Sequence, residues 1–173
     1  MDQKKLEQAA RLIIEAVGED PEREGLLETP RRFAEMVAEQ LAYAAVPNEE
    51  IARAFDKTFS SPESDMVVVK DISLFSHCEH HIALMYNMKA AVGYIPRGRV
   101  IGLSKIARIA DAVSKRLQIQ ERIGADIRDV MERITGAGDV IVLLEGEHSC
   151  MTARGIRKPG TLTRTISASG RFR

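Results

Sequence analysis

Residues 66–95 read MVVVKDISLFSHCEHHIALMYNMKAAVGYI, and this stretch decides the fold class. The segment from Met66 to Phe75 is rich in Val and Ile and predicts a strand, and Leu84 to Ile95 predicts a second one. The stretch from Ser76 to His81 between them is too polar for a core, so it is predicted to be a loop. Two successive strands indicate a sheet rather than a helical bundle.

Two helices and two further strands are predicted downstream. One helix begins near Ser104 and the other ends near Gly136, and each carries apolar residues along a single face. Strands are predicted at Asp139 to Leu144 and at Leu162 to Ala168. The order β-β-α-α-β-β therefore predicts an α+β domain with two helices stacked on an antiparallel sheet. Strand pairing between subunits would cover the edges that four strands leave exposed.

The N-terminal third is predicted to be a helical extension. It carries apolar residues at helical spacing, and the polar stretch from Ser60 to Ser64 is the best linker candidate. We therefore predict an extension over residues 1–62 and the α+β domain over residues 63–173. Three helices are expected in the extension, at about Leu6–Val17, Thr29–Leu41 and Asn48–Phe55.

The charge balance limits the possible partners. The 173 residues include 25 basic and 25 acidic side chains, which gives a formal net charge of zero. Proteins that coat nucleic acids or membrane surfaces depend on an excess of positive charge, so neither partner is expected. The N-terminus lacks the apolar region of a signal peptide, and we expect a cytoplasmic protein with reduced thiols.

The two cysteines and four histidines of the chain are clustered. Cys78 and His81 have the spacing C-x-x-H, and Cys150 follows the third predicted strand with His148 two positions before it. Thiolate and imidazole are the ligands that zinc prefers. Three such ligands with an open position are typical of a catalytic zinc site. A closed Cys2His2 structural site and a pair of inert buried cysteines both remain open.

Two further groups of residues are candidates for substrate contacts. Lys105 and Arg108 lie near the N-terminus of a predicted helix, where free backbone N–H groups favour anions, and Arg154 follows Cys150. Gln120 and Glu121 open the next helix, and a carboxylate there could accept both N1–H and N2–H of guanine. A solvated helix face and a favourable helix dipole explain the same residues without any ligand.

Several motifs in the correct order resemble those of the GTP cyclohydrolase I family, and the likeness runs from Gly25 to about Gly170. The matching runs are Glu28–Arg32 (ETPRR), Cys78–His81 (CEHH), Tyr94–Pro96 (YIP), Val100–Lys105 (VIGLSK), Arg116–Arg122 (RLQIQER) and His148–Pro159 (HSCMTARGIRKP).

This resemblance implies an enzyme with the tunnelling fold. The family converts GTP and water to 7,8-dihydroneopterin triphosphate and formate, the entry to folate and biopterin synthesis. Its chains assemble into a ring-shaped homo-oligomer, a decamer, with active sites between subunits. The expected cofactor is Zn²⁺, and water activated at the metal would attack C8 of the purine.

The resemblance also implies roles for individual residues. The zinc ligands would be Cys78, His81 and Cys150, and the proton-transferring residues would be His80 and His148. The guanine-reading pair would be Gln120 and Glu121. The ribose and triphosphate contacts would be Ser104, Lys105, Arg108, Arg154 and Arg32.

Three departures from the family pattern stand out. The segment between His81 and Lys89 reads IALMYNM and is one residue longer than in some members. Glu35 replaces a lysine that some members carry near the triphosphate, and the chain ends at Arg173, where members run on into a short helix. Two alternatives to the complete reaction are a relative that opens the imidazole ring without forming the pterin, and a zinc-stabilised nucleotide-binding module. A third is an oligomeric scaffold.

Overall fold

A computed structural model describes residues 1–173, which form two compact units, Met1–Ala42 and Tyr43–Arg173. The first unit contains helices α1 (Gln3–Ala16) and α2 (Thr29–Gln40), which pack against each other. None of the helices combines the length and apolar character that a bilayer crossing requires. The predicted division between residues 62 and 63 stays a prediction about where the catalytic domain begins.

The second unit contains four helices and seven strands, and ends with a 3₁₀ turn. In chain order they are α3 (Asn48–Phe55), β1 (Thr58–Ser60), β2 (Val67–Cys78), β3 (Ala83–Tyr94), β4 (Arg99–Ile101), α4 (Leu103–Ser114), β5 (Leu117–Gln118), α5 (Gln120–Thr135), β6 (Val140–His148), α6 (Ser149–Thr152), β7 (Thr163–Ala168) and the 3₁₀ turn (Gly170–Phe172). The long elements follow the order β2-β3-α4-α5-β6-β7, so the predicted α+β tunnelling fold is confirmed.

Five strands form one sheet in the order β5-β2-β3-β6-β7, and β1 and β4 form a separate antiparallel pair. Neighbouring long strands are antiparallel, with Val67 opposite Tyr94 and Cys78 opposite Ala83. The short strand β5 is parallel to the end of β2, with Gln118 paired to Cys78. The sheet therefore brings the ends of β2 and β5 together at the first cysteine.

Helices α4 and α5 bury their apolar faces against one side of this sheet. The helices contact β2, β6 and β7, and their branched side chains share one buried cluster with the apolar positions of β3 and β6, as expected for helices layered on a half-buried sheet. The fully buried side chains at this interface include Ile106, Ile109, Ile123, Ile127, Met88, Val92, Val142 and Leu144. Burial of such side chains contributes about 1.5–3 kcal/mol each.

Strand β2 continues further than the sequence predicts. Ser76, His77 and Cys78 belong to the strand and are buried, although we predicted a polar loop from Ser76 onward. The Ser76 hydroxyl donates a 2.7 Å hydrogen bond to the carbonyl of Ser114 at the end of α4. Burial is tolerated here because the polar group has a partner, which hydropathy alone does not reveal.

Strand β3 contains a β-bulge close to the metal-binding motif. Tyr86 is opposite Glu147 on β6 and Lys89 is opposite Glu145, so Asn87 and Met88 together face one residue, Gly146. Asn87 adopts a positive φ of 50°. A Cβ atom on Gly146 would lie 2.6 Å from Cγ of Met88, which explains a glycine opposite the bulge. The bulge lies in the segment between His81 and Lys89.

Candidate metal centre and active site

Cys78, His81 and Cys150 converge at one end of the sheet. Cys78 is the last residue of β2, His81 lies in the tight turn that follows, and Cys150 is the second residue of α6. Their ligand atoms all lie within 4.8 Å of one another. The main-chain N–H of Glu79 donates to the carbonyl of Gln118 at 3.0 Å, which fixes the start of the turn against β5.

The chemistry of these three side chains fits a zinc ion. Ligand atoms at about 2.0–2.3 Å from a tetrahedral ion are about 3.5–3.8 Å apart, so small side-chain movements bring the set to coordinating distance. A guanidinium nitrogen of Arg154 lies 3.1 Å from Nε2 of His81. Since a guanidinium only donates, this contact occupies the lone pair of Nε2, so an ion bound at Nε2 would take the place of Arg154 on that nitrogen.

Cys150 is held as a thiol in the absence of metal. Burial, followed by the neighbouring Cys78, raises the pKa of the Cys150 thiol above its ordinary value. A metal binds the thiolate, so binding has to release this proton and becomes weaker as the pH falls.

His148 is oriented by a buried glutamine. The side-chain amide nitrogen of Gln120 donates to the carbonyl of Thr163 at 2.9 Å and to that of Leu144 at 3.2 Å. These two acceptors fix which end of the amide is which, so its oxygen faces Nε2 of His148 at 2.8 Å. Because an amide oxygen only accepts, the neutral imidazole carries its proton on Nε2 and leaves Nδ1 as the basic nitrogen.

The environment also tunes the basicity of His148. Burial lowers the pKa of its imidazole, and the negative charge of nearby Glu121 opposes that effect. Glu121 is exposed at the start of α5. Its neighbour Gln120 is only 1% exposed and uses its side chain within the protein. The two members of the predicted guanine-reading pair therefore occupy different environments.

His80 borders the metal centre from the solvent side. Its Nδ1 lies 3.6 Å from Sγ of Cys78, and the residue is exposed. When Sγ is a thiolate, this contact places the imidazole proton on Nδ1 and leaves Nε2 free to accept.

The predicted triphosphate contacts on α4 are not beside the metal centre of the same chain. The C-terminal end of α4 is level with Ser76, whereas its N-terminal end adjoins Tyr94, whose hydroxyl accepts from the N–H of Ile101. Lys105 lies nine residues before Ser114 on α4. The rise of α4 from Lys105 to Ser114 and the length of β2 from Ser76 to Cys78 together place Lys105 about 20 Å from Cys78.

The remaining predicted contacts are divided between the units. Arg154 is beside His81, as described above, while Arg32 is exposed on α2 of the first unit. Ser104 and Arg108 are exposed and accompany Lys105 near the N-terminus of α4.

Two ion pairs near the centre were not anticipated from the sequence. The guanidinium of Arg122 on α5 donates hydrogen bonds to both carboxylate oxygens of Glu79, at 2.7 and 3.2 Å. Arg116 binds Asp126 at 3.1 Å beneath β5. Both arginines belong to the run RLQIQER, so their presence in a motif was a signal, but their partners depend on the tertiary fold.

One surface cavity lies elsewhere in the second unit. It has a volume of about 330 Å³ and is lined by charged residues of the sheet such as Lys89, Glu145 and Arg164. None of the predicted site residues lines it, so it does not alter the assignment of the metal centre.

Comparison with known proteins identifies the family. The family profile of GTP cyclohydrolase I matches residues 6–173. The chain is 55% identical to GTP cyclohydrolase 1 of Clostridium acetobutylicum, over 100% of this chain and 91% of that protein. The corresponding enzyme of Clostridium botulinum (strain Kyoto / Type A2) is also 55% identical, over 99% of this chain and 91% of that protein.

A solved structure, that of the archaeosine synthase QueF-Like in the apo form, is 18% identical with a TM-score of 0.49, and covers 64% of this chain and 96% of its own. The profile and the curated relatives span nearly the whole chain, including all three convergent ligands. The chain belongs to the GTP cyclohydrolase I family.

Proposed function

We propose that this protein is a zinc-dependent enzyme that converts GTP and water to 7,8-dihydroneopterin triphosphate and formate, the first step of folate and pterin biosynthesis. The observation that carries the proposal is the convergence of Cys78, His81 and Cys150 with His80 and His148 beside them. A closed structural zinc site would need a fourth protein ligand, whereas the group of ligand atoms within 4.8 Å of one another has three members. Membership of the family supports the same reaction.

Three protein ligands would hold the ion and leave one position open. Zinc bound by Cys78, His81 and Cys150 would act as a Lewis acid that makes water nucleophilic at neutral pH. The position of Arg154 beside His81 supports a further role of the arginine, because a guanidinium that the ion displaces from Nε2 can pair with an anionic substrate instead.

The two histidines would move protons during ring opening and closure. Nδ1 of His148 is the basic nitrogen, because Gln120 holds the proton on Nε2. His80 presents Nε2 on the solvent side of Cys78. Imidazoles suit this work because their ordinary pKa lies near neutral pH.

Glu121 would bind the guanine directly, and Gln120 would act by orienting His148. The exposed carboxylate of Glu121 can accept the two adjacent N–H groups of guanine. The side chain of Gln120 is committed to two main-chain carbonyls and to His148, so we assign it an orienting role. Only its main chain would remain for the substrate.

The active site would be completed by other subunits of a ring-shaped homo-oligomer, as in the decamer of the family. The separation of about 20 Å between Lys105 and Cys78 within one chain supports this arrangement. One chain would then supply the metal centre, and another would supply Ser104, Lys105 and Arg108 to the triphosphate. The edge strand β7, with Ile166 62% exposed, supports association between chains.

Reduced cysteines in a metal centre also support a cytoplasmic location. The zero net charge supports the expectation that neither nucleic acid nor a membrane is a partner.

The reaction is tested by incubating metal-replete protein with GTP and following formate release together with the fluorescence of the oxidised pterin. Equal amounts of the two products are expected. Formate without pterin would instead indicate a relative that stops after ring opening, and neither product from zinc-loaded protein would indicate a binding module.

Sharing of the site between chains is tested by complementation. Cys150→Ala and Lys105→Ala should each be inactive alone, because one lacks a metal ligand and the other a phosphate contact. Co-expression should restore part of the turnover, since some sites then combine two intact halves. Mixed oligomers as inactive as their parents would contradict the shared site.

A further inference from the structure

The short helix α6, which carries Cys150, is fastened to β3 at both of its ends. At its first residue, the Ser149 hydroxyl donates to the carbonyl of Leu84 at 2.7 Å. At its last residue, Oγ1 of Thr152 lies 3.1 Å from the hydroxyl of Tyr86. One turn of helix is too short to be stable on its own, so its position depends on these contacts.

The carboxylate of Glu147 ties this attachment to the loop that follows α6. Its Oε1 accepts from the side-chain amide of Asn87 at 2.9 Å. Its Oε2 accepts from the main-chain N–H of Gly160 at 3.2 Å and from the Tyr86 hydroxyl at 3.3 Å. The single proton of Tyr86 then points to the carboxylate, and Thr152 donates to the phenol oxygen.

The bulge in β3 makes this arrangement possible. In a regular strand, consecutive side chains point to opposite faces, so Tyr86 and Asn87 would not meet the same group. The positive φ of Asn87 and the extra residue bring both side chains to Glu147. The bulge therefore connects the segment between His81 and Lys89 to the metal centre.

We propose that Tyr86 and Glu147 are positioning residues that hold α6, so that the sulfur of Cys150 faces Cys78 and His81. The inference rests on the proposed role of Cys150 as a metal ligand. Neither Glu147 nor Tyr86 is one of the three convergent ligand residues. They act through the geometry of one ligand, as hydrogen-bonded groups behind metal ligands generally do.

The test is the affinity of reduced, metal-free protein for zinc, measured by competition with a chromogenic chelator. Glu147→Gln replaces one carboxylate oxygen by an amide nitrogen, which then faces at least one donor instead of accepting from it. Tyr86→Phe removes the hydroxyl that joins Glu147 to Thr152. Each variant should bind zinc about 10-fold or more weakly, with turnover recovered when zinc is in excess. Thr152→Val removes only the hydroxyl of Thr152 that contacts Tyr86, and it should weaken zinc binding by less than the other two substitutions.

The matched control is Glu145→Gln, two residues earlier on β6. Its carboxylate pairs with Arg164 at 2.7 Å and lines the cavity away from the metal centre. Zinc affinity should be unchanged in this control. Cobalt(II) provides a second measurement, because its thiolate charge-transfer absorption should lose intensity in Glu147→Gln and not in Glu145→Gln.

Zinc affinity and cobalt spectra equal to those of the wild type in Glu147→Gln, Tyr86→Phe and Thr152→Val would overturn the inference while leaving the metal centre intact. An equal loss in Glu145→Gln would also overturn it, because the effect would then be general destabilisation. A wild-type chain that bound no zinc would overturn the proposed function as well.

Discussion

Gln120 offers a sharp test of how the fold supports the active site. Gln120→Leu keeps nearly the same volume and removes every hydrogen bond of the side chain. The buried carbonyl of Leu144 and the half-buried carbonyl of Thr163 each lose a donor, and His148 loses the group that fixes its proton. An unsatisfied buried polar group costs about 1–3 kcal/mol, so the loss at the Leu144 carbonyl lowers the free energy of unfolding by about 1–3 kcal/mol.

Urea unfolding followed by circular dichroism measures this loss as a lower midpoint at an unchanged slope. Turnover should fall as well, because His148 can then rotate or change tautomer. Glu121→Gln is the control, since its side chain is exposed: its unfolding midpoint should stay the same while its KM for GTP rises. A Gln120→Leu protein within about 0.5 kcal/mol of the wild type would refute the reasoning.

Three further substitutions probe the surroundings of the metal centre. Arg122→Met frees Glu79 beside the metal-binding turn and should weaken zinc binding about 10-fold with little change in Tm, and an unchanged chelator competition would count against this role. Arg116→Met breaks a largely buried ion pair and should lower the free energy of unfolding by about 2–4 kcal/mol in urea; a wild-type midpoint would contradict that burial cost. Gly146→Ala forces a methyl group against Met88 and should lower the free energy of unfolding by about 1–3 kcal/mol. An unchanged Tm would contradict the close approach of Met88 to Gly146.

The sequence was most informative where a pattern is local. The helix predicted from Asn48 to Phe55 has those bounds, and the predicted α4 and α5 pack through their apolar faces. The spacing of Cys78 and His81 predicted a shared ion because a tight turn brings such residues together. Cys150 could be added from its ligand chemistry and from the family resemblance, and the three atoms do converge.

Features that depend on tertiary contacts were not predictable in the same way. Strand β5 is two residues long and exists because it pairs with the end of β2. Gln120 resembled a guanine-reading residue, yet its burial and hydrogen bonds are set by β6 and by the segment that begins β7. The contact between Tyr86 and Thr152 joins positions 66 residues apart, and only the bulge at Asn87 aligns them.

The most direct test of the account is a zinc titration of reduced, metal-free protein, with formate release from GTP as the measured rate. The rate should rise to saturation at one zinc per chain, and Cys150→Ala should remain inactive at every zinc concentration. A full rate in the presence of a strong chelator, or a fully active Cys150→Ala protein, would contradict the central claim that these three residues hold a catalytic metal.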